Sequence, residues 1–129
     1  MTVRVLIVDD SELVRAGFRM VLDAEPGIDV VGESADGAAG VADAERLRPD
    51  VALMDVRMPE LSGIEATRRI VALQGQPVRV LMLTTFDEHE YLSEAVRAGV
   101  TGFILKDTPP DDLVAAIATV ARGERVFPA

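Results

Sequence analysis

The sequence has 129 residues, with 13 Lys and Arg against 22 Asp and Glu, which gives a net charge of −9 at pH 7. This length suits a single domain, and the acidic balance argues against direct binding of nucleic acid or of an anionic membrane, because phosphate-rich surfaces attract basic faces. The absence of Cys and the presence of a single His exclude disulfides, thiolate metal sites and His-rich metal centres.

Short β-type runs alternate with amphipathic stretches along the chain, beginning with a nearly all-apolar run at residues 3–8. The predicted strands cover residues 3–8, 29–33, 51–54, 80–83 and 102–105. The predicted helices begin after Ser11, at Asp36, after Ser62, near Asp87 and after Thr108. Five strands that alternate with five helices predict an α/β domain, with a parallel sheet and with helices on both of its faces.

Residues that begin helices support these boundaries. Ser62, with Glu65 three positions later, is typical of a capping box at a helix N-terminus. Thr108 followed by Pro109 predicts an N-cap and a proline at the first position of the last helix.

The chain lacks signals for membrane insertion or export. It contains no apolar run of about 18 residues, which is the length a transmembrane helix needs. Its first residues lack the basic and apolar regions of a signal peptide. We therefore expect a cytoplasmic protein with no membrane partner.

The residues that follow the predicted strands are chemically related. Asp9-Asp10 follows the first strand, Asp55 the third, Thr84-Thr85 the fourth and Lys106 the fifth. Ligands of open α/β sheets bind beyond the carboxyl ends of the strands. We therefore expect these carboxylates, hydroxyls and the ammonium group to meet at one edge of the sheet.

This set of groups predicts a metal-dependent phosphoryl site. Two carboxylates about 4 Å apart repel each other by up to about 4 kcal/mol at an effective dielectric constant near 20, and Mg²⁺ with oxygen ligands relieves such repulsion. An ionised aspartate can then attack phosphorus to form an acyl phosphate, while Thr84, Lys106 and the metal stabilise the phosphoryl oxygens. Each residue alone is more typical of a turn, a strand or a solvated surface, and it is their combination that favours the site.

Four segments in chain order resemble the receiver domain of two-component response regulators. The segments, which match the family's acidic pair, phospho-acceptor turn and two switch strands, are residues 5–11, 55–59 with Gly63, 83–85 and 102–106. The match covers residues 1–122 in one register, and segments 55–70 and 106–109 most resemble the NarL/FixJ (LuxR-type) subfamily. The resemblance implies a flavodoxin-like, CheY-like (βα)5 fold with strand order 2-1-3-4-5.

Residue by residue, the resemblance implies a phospho-acceptor and its metal ligands. Asp55 is expected to accept a phosphoryl group from a sensor histidine kinase. Asp10 is expected to bind Mg²⁺ directly and Asp9 mainly through water. Asp55 itself and the backbone carbonyl of Arg57 are expected to complete the protein's share of the ligands.

The resemblance also implies a conformational switch. Thr84 is expected to hydrogen-bond the phosphoryl group and Lys106 to pair with it, while Phe103 turns inward as Thr84 moves. The family often has a proline after this lysine, joined by a cis peptide bond, but here Asp107 follows. A cis bond before a residue other than proline costs roughly 3 kcal/mol, so the sequence leaves cis and trans open at Lys106–Asp107.

The resemblance further implies a domain arrangement and partners. We expect residues 1–122 to form the receiver and residues 123–129 to begin a linker to an output domain outside this chain. In the subfamily that domain is a helix-turn-helix that binds DNA, so we expect phosphorylation to control transcription. The first and last helices carry broad apolar stripes, and the family dimerises through that pair or through the face that includes the fourth helix. We therefore expect a homodimer.

Three other functions are weighed against this one. A stand-alone receiver that acts through protein–protein contacts has the same sequence pattern. A phosphatase of the haloacid dehalogenase type would need a second Asp two positions after its nucleophile, where this chain has Arg57, and usually a longer chain with a cap. A degenerate receiver would lack some of the acidic, hydroxyl and Lys residues that are present here. We therefore expect a phospho-acceptor switch rather than an enzyme, with at most slow self-catalysed phosphorylation and dephosphorylation.

Overall fold

Strands and helices alternate through residues 2–85 and 90–128, which are the residues that this computed structural model describes. The strands are β1 (Val3–Val8), β2 (Ile28–Ser34), β3 (Val51–Asp55), β4 (Arg79–Thr84) and β5 (Gly102–Leu105). The helices are α1 (Glu12–Asp23), α2 (Gly37–Leu47), α3 (Gly63–Val71), α4 (Leu92–Ala98) and α5 (Pro110–Ala121). The predicted start of the fourth helix near Asp87 lies outside the described residues. Within them, no helix is long and apolar enough to cross a bilayer.

The strands form one parallel sheet in the order β2-β1-β3-β4-β5. This confirms the predicted α/β class and the flavodoxin-like, CheY-like strand order. The strand order reverses at β1, which pairs with β2 on one side and with β3 on the other. In open α/β sheets, a crevice forms at such a reversal, beyond the carboxyl ends of the two strands. A ligand-binding site is therefore expected among the residues that follow β1 and β3.

Two apolar clusters, one on each face of the sheet, form the core. Along β3, Ala52 and Met54 pack into the cluster with α2, α3 and α4, whereas Val51 and Leu53 pack into the cluster with α1 and α5. All of β3 is buried. Strands covered on both faces explain why the sequence shows apolar runs rather than alternation of polar and apolar residues.

The structure confirms one of the two predicted helix caps, Ser62, and contradicts the other, Thr108. The hydroxyl oxygen of Ser62 accepts a hydrogen bond from the backbone N–H of Glu65 at 3.2 Å, as expected of a capping residue. Thr108, however, is not the N-cap of α5. That position belongs to Pro109, and Pro110 is the first helical residue. The Thr108 hydroxyl instead donates to the carbonyl of Leu105 at 2.6 Å, and this local turn delays the helix by one residue.

The residues after α5 lie along the edge strand β5. Val126 forms a parallel bridge with Gly102, and the N–H of Phe103 donates to the carbonyl of Val126 at 2.9 Å. Phe127 packs against the cluster that contains Phe103. This part of the chain is therefore attached to the sheet beside β5.

Candidate functional site

Three carboxylates converge at the reversal point of the sheet. Asp9 and Asp10 follow β1, Asp55 is the last residue of β3, and their carboxylate oxygens lie within 4.8 Å of one another. Asp9 is 2% exposed and Asp55 is 5% exposed, whereas Asp10 is exposed. The cluster is therefore buried on two sides and open to solvent on the side of Asp10.

Lys106, which follows β5, points its ammonium group into this cluster. Its Nζ lies 3.0 Å from Oδ1 of Asp55 and 3.2 Å from Oδ2 of Asp9. Burial by itself lowers the pKa of this ammonium group, but the hydrogen bond and charge of Asp55, together with those of Asp9, outweigh burial. The pKa of Lys106 is therefore raised above its ordinary value, and the group stays charged at neutral pH.

The donor set suits a hard divalent cation. One ammonium group faces three carboxylates, so negative charge remains in excess when all of them are ionised. Carboxylate oxygens are the ligands that Mg²⁺ prefers, and an exposed ligand such as Asp10 leaves room for the waters that this ion retains. The residues present therefore fit Mg²⁺.

The loop after β3 depends on a glycine. The N–H of Gly63 donates to the carbonyl of Val56 at 2.9 Å, which holds the start of α3 against the turn after Asp55. A Cβ atom at position 63 would overlap the carbonyl oxygen of Asp55. Only glycine permits this close approach, so Gly63 sets the path of the backbone next to the acidic cluster.

Arg57 lies in the same loop, and its side chain contacts Tyr91. Its Nη2 donates to the hydroxyl of Tyr91 at 3.3 Å, and its guanidinium carbon lies 5.7 Å from the centre of the Tyr91 ring. Asp10 and Arg57 line one open cleft of about 590 Å³. The predicted role of the Arg57 carbonyl as a metal ligand stays a prediction.

Thr84 and Lys106 are brought together by the pairing of β4 with β5. The backbone N–H of Lys106 donates to the carbonyl of Thr84 at 2.7 Å. Thr84 is fully buried, and its hydroxyl donates to the carbonyl of Thr85 at 3.0 Å. No peptide bond in the described residues is cis, so the Lys106–Asp107 bond is trans.

Phe103 lies in the core rather than at the edge where the carboxylates meet. Its side chain is 0% exposed, and its cluster includes the partly buried Tyr91 at the start of α4. The structure thus describes a conformer in which this aromatic side chain points inward.

Sequence reasoning missed one residue beside the site, Arg15 in α1. Its Nη1 donates to the backbone carbonyl of Asp9 at 2.7 Å, and its Nε lies 3.2 Å from Glu33. Arg15, Phe18 and Leu22 are spaced three and four residues apart, so they share one helix face. An arginine on a face with apolar residues was the available signal for an inward-facing charge.

Comparisons with known proteins agree with this geometry. The family model of the response regulator receiver domain matches residues 5–118. The transcriptional regulatory protein YxjL of Bacillus subtilis is 47% identical over 125 residues, which cover 97% of this chain and 57% of that protein. The response regulator protein VraR of Staphylococcus aureus is 44% identical over 98% of this chain and 60% of that protein. The chain thus spans less than two thirds of the length of these relatives.

Solved structures of response regulators are also similar to this chain. The signal receiver domain of the putative response regulator NarL from Mycobacterium tuberculosis superposes with a TM-score of 0.89 at 36% identity, covering 95% of this chain and 98% of that one. A structure of two RcsB dimers bound to two parallel DNAs matches with a TM-score of 0.85 at 27% identity, covering 99% of this chain and 65% of that one.

Proposed function

The chain belongs to the receiver domain family of two-component response regulators, and on that basis we propose that Asp55 accepts a phosphoryl group from a sensor histidine kinase. The observation that carries the proposal is the contact of Lys106 with both Asp55 and Asp9, beside an exposed Asp10. In this arrangement a buried carboxylate lies next to an ammonium group that is charged at neutral pH. It suits the family's role as a phospho-acceptor switch.

The chemistry that we propose is nucleophilic attack of the Asp55 carboxylate on phosphorus. A phosphoryl donor would approach from the solvent-open side of Asp10, because Asp9 and Asp55 are buried. The bond between phosphorus and the donor breaks, and an acyl phosphate forms on Asp55. Lys106 would then pair with a phosphoryl oxygen, since its ammonium group already lies 3.0 Å from Asp55 Oδ1.

Asp9, Asp10 and Asp55, with the backbone carbonyl of Arg57, would hold Mg²⁺. A bound Mg²⁺ supplies positive charge that relieves carboxylate repulsion and neutralises phosphoryl oxygens. Asp10 would bind the ion directly, since its exposed carboxylate is the most accessible of the three. Asp9 is held by Lys106 at 3.2 Å, which suits a ligand that acts mainly through water.

Phosphorylation would act by shifting a conformational equilibrium. Thr84 donates to the carbonyl of Thr85 at 3.0 Å, and it would exchange this acceptor for a phosphoryl oxygen. The conformer described here has Phe103 buried. The switch would therefore involve a second conformer in which Phe103 turns outward and changes the surface of α4, β5 and α5, and phosphorylation of Asp55 would lower the population of that conformer.

We further propose that residues 1–122 form the receiver of a longer transcriptional regulator that binds DNA as a homodimer through a helix-turn-helix domain. Two observations support this proposal. The curated relatives are longer than this chain, and the matched RcsB structure contains dimers on DNA. In this arrangement phosphorylation of Asp55 would strengthen dimerisation.

Incubation with acetyl phosphate and MgCl₂, followed by intact-mass analysis, tests the phospho-acceptor. Wild type and Asp107→Asn, which removes an exposed acid beside Lys106, should each gain one phosphoryl group, and Asp55→Asn should gain none. Equal labelling of Asp55→Asn would refute the proposal. Release of many equivalents of inorganic phosphate per protein molecule from a phosphomonoester would instead support the phosphatase alternative.

A further inference from the structure

We propose that Arg15 is a positioning residue that orients the Asp9–Asp10 peptide unit and thereby sets the affinity of the acidic cluster for Mg²⁺. This inference rests on the proposed metal site. The side chain of Arg15 is 14% exposed, and its Nη1 donates to the backbone carbonyl of Asp9 at 2.7 Å. A charged donor at this distance makes a strong hydrogen bond.

The Asp9 carbonyl belongs to the peptide unit that leads into Asp10. The N–H of Asp9 donates to the carbonyl of Ser34 at 3.1 Å, and its Oδ1 accepts from the N–H of Ser11 at 2.9 Å. Arg15 holds the remaining polar backbone group of Asp9, the carbonyl. The Asp10 carboxylate is exposed, so few packing contacts hold it in place. The orientation of this peptide unit therefore sets the position of the Asp10 carboxylate oxygens relative to Asp55.

Arg15 is itself fixed by Glu33, near the carboxyl end of β2. Its Nε lies 3.2 Å from Oε1 of Glu33, and Nη1 of Arg19 lies 3.0 Å from Oε2 of the same carboxylate. Both arginines therefore share one anion, but the contact with the Asp9 carbonyl is made by Arg15. Arg19 is the control, because it has the same charge, lies on the same helix and contacts Glu33, although it is more exposed and also lies 3.5 Å from Asp23.

A positioning role and a purely electrostatic role for Arg15 predict opposite changes in Mg²⁺ affinity when its guanidinium group is removed. A positive charge near a cation site repels the cation, so loss of a guanidinium group should tighten Mg²⁺ binding if charge alone matters. If Arg15 holds the peptide unit in place, its loss should weaken binding instead. Removal of a group that orients a metal ligand typically costs about 10–100-fold in metal affinity.

The test is an NMR titration with MgCl₂ of wild type, Arg15→Gln, Arg15→Lys and Arg19→Gln, alongside urea unfolding of each variant in EDTA. We expect Arg15→Gln to raise the Kd for Mg²⁺ about 10-fold and Arg19→Gln to leave it unchanged or lower it. Arg15→Lys, which keeps a charged donor, should recover part of the affinity. The free energy of unfolding without metal should fall more in Arg15→Gln, which loses its contacts with both the Asp9 carbonyl and Glu33, than in Arg19→Gln, whose side chain is more exposed.

An Arg15→Gln protein that binds Mg²⁺ as tightly as Arg19→Gln would overturn the inference. If Arg15→Gln fails to fold, Arg15→Lys decides: an affinity between those of wild type and Asp10→Asn supports positioning by the guanidinium group, and wild-type affinity refutes it. Failure of the proposed metal site gives a different result. In that case wild type and Asp10→Asn would show the same weak response to MgCl₂, and this inference would fall with the site.

Discussion

Substitution of Asp10 by Asn should stabilise the metal-free protein and abolish its stabilisation by Mg²⁺. Asparagine has nearly the same shape as aspartate but carries no charge, so the change removes one carboxylate from the cluster. Asp10 is also the exposed member of the cluster, so the loss of its charge leaves no buried group without a partner. The two effects have opposite signs and one origin, which is carboxylate repulsion.

The magnitude follows from the separation of the charges. Carboxylate oxygens of Asp9, Asp10 and Asp55 lie within 4.8 Å of one another, and at that distance one pair repels by about 0.9 kcal/mol in water and by about 3.5 kcal/mol at a dielectric constant of 20. Asp10 is repelled by the Asp9 and Asp55 carboxylates, and Lys106, which contacts both of them, offsets part of that repulsion. Because Asp10 is exposed, screening favours the lower figure, and we expect about 1 kcal/mol of stabilisation.

Thermal unfolding with and without Mg²⁺ measures both effects. Without metal, Asp10→Asn should raise the Tm by roughly 3–5 °C, as expected for about 1 kcal/mol in a domain of this size. At a Mg²⁺ concentration of about ten times the Kd, wild type should gain about 1.4 kcal/mol from binding, and Asp10→Asn should gain nothing. Asp29→Asn, which removes an exposed charge at the opposite end of the sheet, should behave like wild type. A lower Tm for metal-free Asp10→Asn, or an undiminished Mg²⁺ response, would refute the reasoning.

Further expectations concern Gly63 and Lys106. Gly63→Ala should lower the free energy of unfolding by about 1–3 kcal/mol in urea, because its Cβ meets the Asp55 carbonyl. Gly17→Ala on α1 should not destabilise, since a Cβ there meets nothing within 4 Å. The raised pKa of Lys106 means that its contribution to stability is fully present below the ordinary lysine pKa of about 10.4 and is lost as pH rises through the higher folded value. The stability of wild type relative to Lys106→Met should therefore be constant between pH 7 and 9 and should fall only above the ordinary lysine pKa. A fall between pH 7 and 9 would contradict the ion pairs of Lys106. Lys106→Ala should still bind Mg²⁺ but show no phosphorylation-dependent dimerisation in size-exclusion chromatography, and a normal dimer shift would count against its role.

The alternation of elements and the residues at strand ends could be predicted from the sequence for a physical reason. Parallel strands buried on both faces appear as apolar runs, and their carboxyl ends lie at one edge of the sheet. Asp55 and Lys106 are far apart in the chain, yet each directly follows such a run, so their meeting could be expected. The strand order, by contrast, came from resemblance, because periodicity does not say which strands are neighbours.

The pattern of residue types in the sequence could not predict contacts between side chains and the backbone. Arg15 acts on the carbonyl of Asp9 through a fold-dependent contact, and a hydrogen bond to a backbone atom leaves no partner residue type in the sequence to recognise. Thr108 could not be placed correctly for the same reason. Its hydroxyl donates to the backbone carbonyl of Leu105 instead of capping the last helix. The packing of Gly63 against Asp55 was visible only as part of a family motif, and the structure supplies its cause.

Borohydride trapping after phosphorylation tests the central claim most directly. Borohydride reduces an aspartyl phosphate to homoserine, which marks the acceptor permanently. Peptide mapping of wild-type protein treated with acetyl phosphate and MgCl₂ should find homoserine at position 55 and Asp at positions 9 and 10. Homoserine at either of those positions, or none at position 55 in protein that has gained a phosphoryl group, would contradict the account.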